Sequence, residues 1–518
     1  MSYSDSDLRN PSSSSGGAWT LAALVAYASQ YPSVAATWQV GLRAYVTDQS
    51  NWYSWNGSIW APAGAVAPTG VQSPMASQLP NFRAALGRIR GAIAAGFINT
   101  ATFTGTIAAN VLTTSSVTGT INNGASVQTT GTTPITTPLF IINQLTGVVG
   151  GAGTYQLSQN GPTIGSGQAM TSSPPRGRIL FLGDSTAAGT GAGSGLTAST
   201  GLTGAFANNQ QSILAKQLAA AGIPCQNNSF FTDQGSGAVA YGTFDTRVVE
   251  GSGWSTYLPI LLGAGGFTCS TLNATLTFTP TQNTDTAICF YQDYANLSTI
   301  TVAIGGGTAQ TGTNTGSGGA YAWKKTNPAT QTLGANATVV TCTATQPVIA
   351  GVLTYNSQSP AFDLLQWSCI GAASASLQPN YYASPASNNL PAVLAILQPT
   401  LVIIQLTTND AALNTPLATY TSNIQAAINA CKAAGADVLL QTGVPYSGII
   451  GSISYYAQIN AALKSVAQAN NVALTDNFTY FGDFTTATNN GLVYNAQHQL
   501  PAGSEVMAQF TAQILASL

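Results

Sequence analysis

The stretch Arg178-Ile179-Leu180-Phe181-Leu182-Gly183-Asp184-Ser185 decides how this chain is read. Its apolar run is unbroken, too short for a helix, and stops at a glycine. A strand buried on both faces of a parallel sheet reads this way. In open parallel sheets, ligands bind beyond the carboxyl ends of the strands. A serine at that place becomes a nucleophile if a base reaches it. The plainer reading of Gly183-Asp184-Ser185 is an ordinary turn, and the three residues alone do not decide between the two.

Working outward, the same texture recurs on both sides of an interruption. Asn208 to Ala221 reads as a helix closed by Gly222, the residue type that ends helices in the left-handed conformation. Leu401 to Leu406 and Asp437 to Gln441 read as buried strands. Leu417–Ala434, Ile453–Asn470 and Ala502–Leu518 read as helices. Strands alternating with helices predict an α/β domain with a doubly wound parallel sheet in three layers, flavodoxin-like. Between its halves, from about Phe267 to Ile370, helical spacing vanishes. ATLTFTP, TAICFY, STITVAI, ATVVTCTA, VIAGVLTY and FDLLQWSCI are strand-like and separated by turns, which predicts an inserted β-sandwich. The expected domains are 173–265 with 372–518 for the α/β part and 266–371 for the sandwich.

Ser172-Ser173-Pro174-Pro175 marks a boundary. Before it, residues 96–172 are rich in Thr, Gly and Asn with evenly spaced Val, Ile and Leu, which predicts a small all-β module. Residues 1–95 read as an adaptor. Within it, Asn56-Gly57 lies between two alternating runs, a hairpin signal because both residues accept positive φ. Asn81 to Ala95 predicts a short helix with a basic face.

Composition narrows the function. Charged residues are only 5% of the 518, against about 25% in a typical globular protein. Disorder does not follow, because 45% of the chain is hydrophobic. A surface wetted by Ser, Thr, Asn, Gln and backbone suits a particle exposed outside cells. A net charge of −2 argues against nucleic acid as partner. No apolar stretch approaches the roughly 18 residues of a membrane span. The start, MSYSDSDLRNPSSSSGG, does not read as a secretory signal. The 6 cysteines have no metal-type spacing and read as buried thiols, with a disulfide within the group 269–369 left open.

Two further positions carry chemistry. Thr408-Asn409-Asp410 follows the strand LVIIQL directly, so the Asn409 amide is placed to donate to a developing oxyanion; the plainer reading is helix capping. His498 is the single histidine of the chain, so any Ser–His chemistry must use it.

Together these blocks resemble the SGNH/GDSL esterase superfamily over residues 176–255 and 375–518. Its first block is Gly183-Asp184-Ser185. Its GxND block reads Thr407-Thr408-Asn409-Asp410. Its DxxH block reads Asn495-Ala496-Gln497-His498, with the expected glycine five residues on at Gly503. The resemblance implies Ser185 as nucleophile, His498 as general base and acid, and an oxyanion hole of the Ser185 N–H, the Asn409 amide and a second-block residue, for which Gly235 is the candidate. Thr232 is the neighbouring alternative. It implies no metal and no cofactor. Asn495 stands where the family has an aspartate; it can orient the imidazole but cannot stabilise imidazolium as a carboxylate does. Asp476 and Asp483 are the other acids considered for that task. Asp184, Thr232, Asp245, Arg247 and Trp254 are candidate substrate contacts, although Asp245 and Arg247 equally fit a mutual ion pair.

WNGSIWAP and GGAGTYQLSQ resemble segments of bacteriophage tail proteins, and an SGNH domain interrupted by a sandwich resembles phage tailspike deacetylases. This implies removal of O-acetyl groups from bacterial surface polysaccharide, other tail proteins as partners, a homotrimer, and a place in the virion tail after synthesis in the bacterial cytoplasm. Sugar would stack on Trp254, Tyr291, Tyr294, Tyr321 or Trp323, for each of which core packing is the plainer role. The alternative is a non-catalytic adhesin whose hydrolase domain has decayed. A secreted bacterial acetylesterase outside any phage is a third reading.

Overall fold

The computed structural model describes the strands Arg43–Val46, Asn51–Trp55 and Trp60–Pro62 and, from residue 77, all but 98–99, 130–134, 136–138, 194–203, 232–240, 260–264, 294–298, 314–321, 344–345, 379–388, 446, 448–451 and 494–496. The Asn56-Gly57 turn lies outside the described residues.

The central sheet has six parallel strands: β1 (Arg176–Gly183), β2 (Cys225–Gln226), β3 (Ala361–Ser368), β4 (Leu401–Gln405), β5 (Asp437–Gln441) and β6 (Ala473–Thr475), in the order β2-β3-β1-β4-β5-β6. Side chains alternate across a strand, so β1 feeds two cores. Leu180 and Leu182 face one cluster with Val402, Ile404, Val438 and Leu440, while Ile179 and Phe181 face another with Phe362, Leu364, Ile403 and Leu439. Helices cover both faces. Helices α4 (Leu390–Leu397), α6 (Leu417–Ala433) and α7 (Ile453–Ala469) pack on the first, and α1 (Pro80–Ala94), α3 (Gln210–Ala220) and α8 (Pro501–Ala516) on the second. Short helices α2 (Ser185–Ala188) and α5 (Thr408–Ala412) follow β1 and β4. Buried positions on α6, Tyr420, Ile424, Ala427, Ile428 and Cys431, recur at the helical period. Asn209 caps α3 by accepting from the Ser212 N–H at 2.9 Å. The doubly wound parallel α/β sheet expected from the sequence is present.

The sandwich is an insertion, but its limits differ from those expected. FDLLQWS is β3 of the parallel sheet, paired with β1 from Arg176↔Ala361 to Gly183↔Ser368. A continuous apolar run looks the same in a buried parallel strand and in a sandwich core. Conversely, Val248–Glu250 and Trp254–Pro259, expected in the α/β part, are sandwich strands, and Ser229–Phe231 pairs with Val348–Tyr355. The seven-stranded and five-stranded sheets enclose one core of Phe267, Cys289, Ile349 and Val352 with Leu276, Phe278, Val302 and Val340. One side of the sandwich merges with the α/β core, where Phe231 stacks on Trp367 and Trp323 meets Trp367 edge-on.

The N-terminal β module closes into a six-stranded barrel spanning Ala101 to Ser173. Helix α1, expected as part of the adaptor, belongs elsewhere. Phe82 stacks on Phe362 with ring centroids 4.6 Å apart, and Asp437 accepts from the Phe82 N–H and the Asn81 amide. Its C-terminal end enters the barrel, with Ala92 and Phe97 in the barrel core and Arg88 lying 3.8 Å over the Phe140 ring. All six cysteines are buried thiols, and none is joined in a disulfide.

Candidate active site

The carboxyl ends of β1, β3 and β4 meet in register, with Gly183 opposite Ser368 and Gln405. The chain leaves β1 through a tight turn. A Cβ on Gly183 would sit 2.2 Å from the Ala187 Cβ, so only glycine permits the return of the chain into α2. Asp184 caps α2, its Oδ1 accepting from the Thr186 N–H at 2.8 Å and the Thr186 hydroxyl at 2.6 Å. Ser185 is the first helical residue and is 3% exposed.

His498 comes to this serine from 313 residues away, with Nε2 2.9 Å from the Ser185 Oγ. Burial pulls its imidazole down to about 4, so the ring is neutral at physiological pH and able to take a proton. Its approach is fixed by packing. Gln499 forms a bridge with Val493, the Leu500 N–H donates to the Leu492 carbonyl, and Pro501 opens α8. Gly503 is required there: a Cβ would lie 2.2 Å from the Leu492 carbonyl oxygen and 2.8 Å from the Gln499 Cβ.

Asn409 lies in α5, half-buried between buried neighbours. One amide hydrogen is donated to the Ala372 carbonyl at 2.8 Å. An amide carries two donors, so the second remains to be aimed. Asp410 does not cap this helix. Its carboxylate accepts from the Ser374 N–H at 2.7 Å and hydroxyl at 2.6 Å, bracing the segment after β3 against α5. Burial raises its pKa, which these bonds oppose.

Other expected residues are placed differently. Asp184 is 0% exposed and has no surface to offer a substrate; burial pushes it up to about 6 against the pull of its Thr186 bonds. Asp245 and Arg247 take the second of their two readings. They form a buried ion pair at 2.8 Å, and Arg247 also donates to the Asn227 and Ser229 carbonyls and lies 3.9 Å over the Phe206 ring. Trp254 and Tyr291 are buried in the sandwich core, and Trp323 packs against the α/β core. Asp476 caps the helix Asn477–Phe481 and pairs with Lys464, and Asp483 caps Phe484–Asn489 at the surface. Both carboxylates are committed to helix caps. Asn495, Gly235, Thr232, Tyr294 and Tyr321 lie outside the described residues.

Sequence reading missed the polar layer beneath the serine. The Gln405 amide donates to the Thr186 hydroxyl at 2.7 Å, and the Gln499 amide donates to the Thr186 carbonyl at 2.5 Å. Nearby, Asn209 donates to Gln366, Gln210 to Gln441, and Gln441 to Thr511. A hint was available: β4 and β5 both end in glutamine after an apolar run.

A buried hydroxyl meets a neutral imidazole at the carboxyl edge of the parallel sheet, with an amide just beyond the adjacent strand, an arrangement able to carry Ser–His acyl transfer. Residues 359–505 match the model of the GDSL-like Lipase/Acylhydrolase family, so the chain carries a GDSL-like lipase/acylhydrolase domain, which supports a carboxylic ester hydrolase. The matched span holds Asn409 and His498 but begins after the sandwich, and the fold brings Ser185 to it. No curated protein matches the chain. Solved structures similar to it include protein YXIM from Bacillus subtilis, at 16% identity and a TM-score of 0.29, covering 56% of this chain and 98% of that one. The lipase/acylhydrolase from Enterococcus faecalis is 15% identical, with a TM-score of 0.26, covering 30% and 77%. Axe2, an acetylxylan esterase from Geobacillus stearothermophilus, is 15% identical, with a TM-score of 0.25, covering 30% and 73%. At those identities and scores no activity carries over.

Proposed function

We propose that this chain is a carbohydrate O-acetylesterase of the bacteriophage tailspike type, which removes O-acetyl groups from bacterial capsule or O-antigen polysaccharide. The observation that carries the chemistry is the 2.9 Å contact between the Ser185 Oγ and the His498 Nε2. Ser185 attacks the acetyl carbonyl while His498 takes its proton. The oxyanion rests on the Ser185 N–H, the second Asn409 amide hydrogen and a second-block donor at Gly235. His498 then protonates the departing sugar oxygen. Water, deprotonated by the same imidazole, releases acetate.

The polysaccharide and the tailspike setting are supported by the charge-poor composition, the barrel before the α/β domain and the sandwich inserted in it, and the resemblance of GGAGTYQLSQ and WNGSIWAP to tail-protein segments. In this reading the chain is a homotrimer in the virion tail, docked to other tail proteins through the segment that precedes α1 and acting at the host surface. Acetate release from a panel of bacterial polysaccharides tests it, run beside Ser185→Ala. Wild type should release acetate from at least one acetylated polymer, and the folded variant should fall to background, a loss on the order of 10⁶ in kcat. A non-catalytic adhesin, which Asn495 in the aspartate position favours, would bind polymer and release nothing.

A further inference from the structure

The reading above leaves one contact unused. Gln499 follows His498 directly, and its amide donates to the Thr186 carbonyl at 2.5 Å, while His498 meets Ser185 at 2.9 Å. Two adjacent residues of one segment thus hold two adjacent residues of another. Gln499 is fully buried, and so is Thr186. A carbonyl oxygen only accepts, so the NH₂ end of the amide must face Thr186 and the orientation of the side chain is determined. The backbone of Gln499 is held too, by its bridge to Val493 and by the fit of its Cβ over Gly503. The serine side is held as firmly, since the Thr186 hydroxyl accepts from Gln405 and donates to Asp184. Through this bond a displacement of residue 499 becomes a displacement of the helix that carries the nucleophile.

We propose that Gln499 is a positioning residue: its bond to the Thr186 carbonyl sets the distance and alignment between His498 and Ser185. The bond from Gln499, one residue away and to the same short helix, ties the segment that carries His498 to the helix that carries Ser185. This rests on the Ser–His esterase reading for its consequence in turnover, but not for its structural content.

The chain's lone histidine makes the test direct, because imidazole NMR signals need no assignment. His498 is titrated in the full chain, in wild type, in Gln499→Leu, which keeps bulk and removes the donor, and in Gln499→Asn, whose shorter amide cannot reach. Wild type should titrate near 4. Both variants should titrate higher, toward the ordinary 6.5, as the loosened ring gains water. Their kcat on p-nitrophenyl acetate should fall between about ten- and a hundredfold with KM unchanged, as expected of misalignment. Should Gln499→Leu fail to fold, Gln499→Asn decides alone. A folded variant with wild-type imidazole titration and wild-type kcat overturns the proposal. Absence of ester turnover in wild type, with the titration differences present, removes the esterase reading and leaves Gln499 as what holds His498 on Ser185.

Discussion

The carboxyl edge of the parallel sheet and the core of the inserted sandwich are both buried, and they are built in opposite ways. The sandwich core is Phe230, Phe267, Phe278, Ile300, Val302, Val340 and Val352, closed by aromatic contacts such as Phe230 to Phe278 at 5.2 Å. The sheet edge instead buries Asp184, Thr186, Gln405, Gln441, Gln499 and Thr511 at 0% exposure. Burying polar groups stabilises little at best, since each bond replaces one with water and any unmade bond is costly. Several acceptors at this edge, Asp184 Oδ2, Gln405 Oε1 and Gln499 Oε1, have no partner within the described protein atoms. The difference teaches where this molecule gives up stability: at the one place where side-chain direction decides chemistry.

The comparison can be broken most sharply at Asn409. Asn409→Ala should lower turnover by roughly 100- to 1,000-fold, the usual effect of losing one oxyanion donor, with only a small change in melting temperature. Steady-state kinetics beside a thermal melt check it, and a wild-type kcat would remove Asn409 from the site. Phe278→Ala should show the converse. It should cost about 3–5 kcal/mol of unfolding free energy, as truncation of a buried aromatic does, while kcat per folded molecule stays within about twofold. Denaturant unfolding and active-site titration read the two quantities separately.

The smallest effect concerns pH. The His498 imidazole is held down to about 4 in the folded chain and returns to 6.5 when unfolded. The unfolded state therefore takes up this proton first as pH falls, and the folded state loses stability between about 6.5 and 4. Asp184 and Asp437, pushed up to about 6, act in the other direction, because there the folded state binds the proton first. His498→Phe should thus gain on wild type as pH drops through that window, by on the order of 1–3 kcal/mol. Unfolding curves at pH 7 and pH 4 measure it, and an equal stability difference at both would contradict a depressed imidazole.

Much of this was legible before the fold was seen, for reasons that differ by residue. Ser185 and Asn409 follow apolar strands directly, and His498 is alone of its kind. The α/β alternation was readable because β4 and β5 are unbroken apolar runs too short for a helix, while α6 and α7 are long enough to show the helical period. The run FDLLQWS was misplaced because two buried faces erase the alternation that would assign a strand to one sheet or the other. Asp245, Arg247 and Trp254 drew notice as chemistry-bearing types, but burial within the sandwich, a tertiary property, decides their roles. Gln405 and Gln499 left almost no mark, since an amide that donates to a residue far along the chain has no fixed spacing to it.

Helix α1 has one end in the hydrophobic core of the sheet and the other in that of the barrel. It is therefore an axle shared by two bodies, not a tether between them. Twisting the barrel against the hydrolase would have to pull Phe82 off Phe362 or Ala92 out of the barrel. Whatever grips the barrel thereby sets the compass heading of the sheet edge that holds Ser185, because torque on the barrel reaches the sheet through α1.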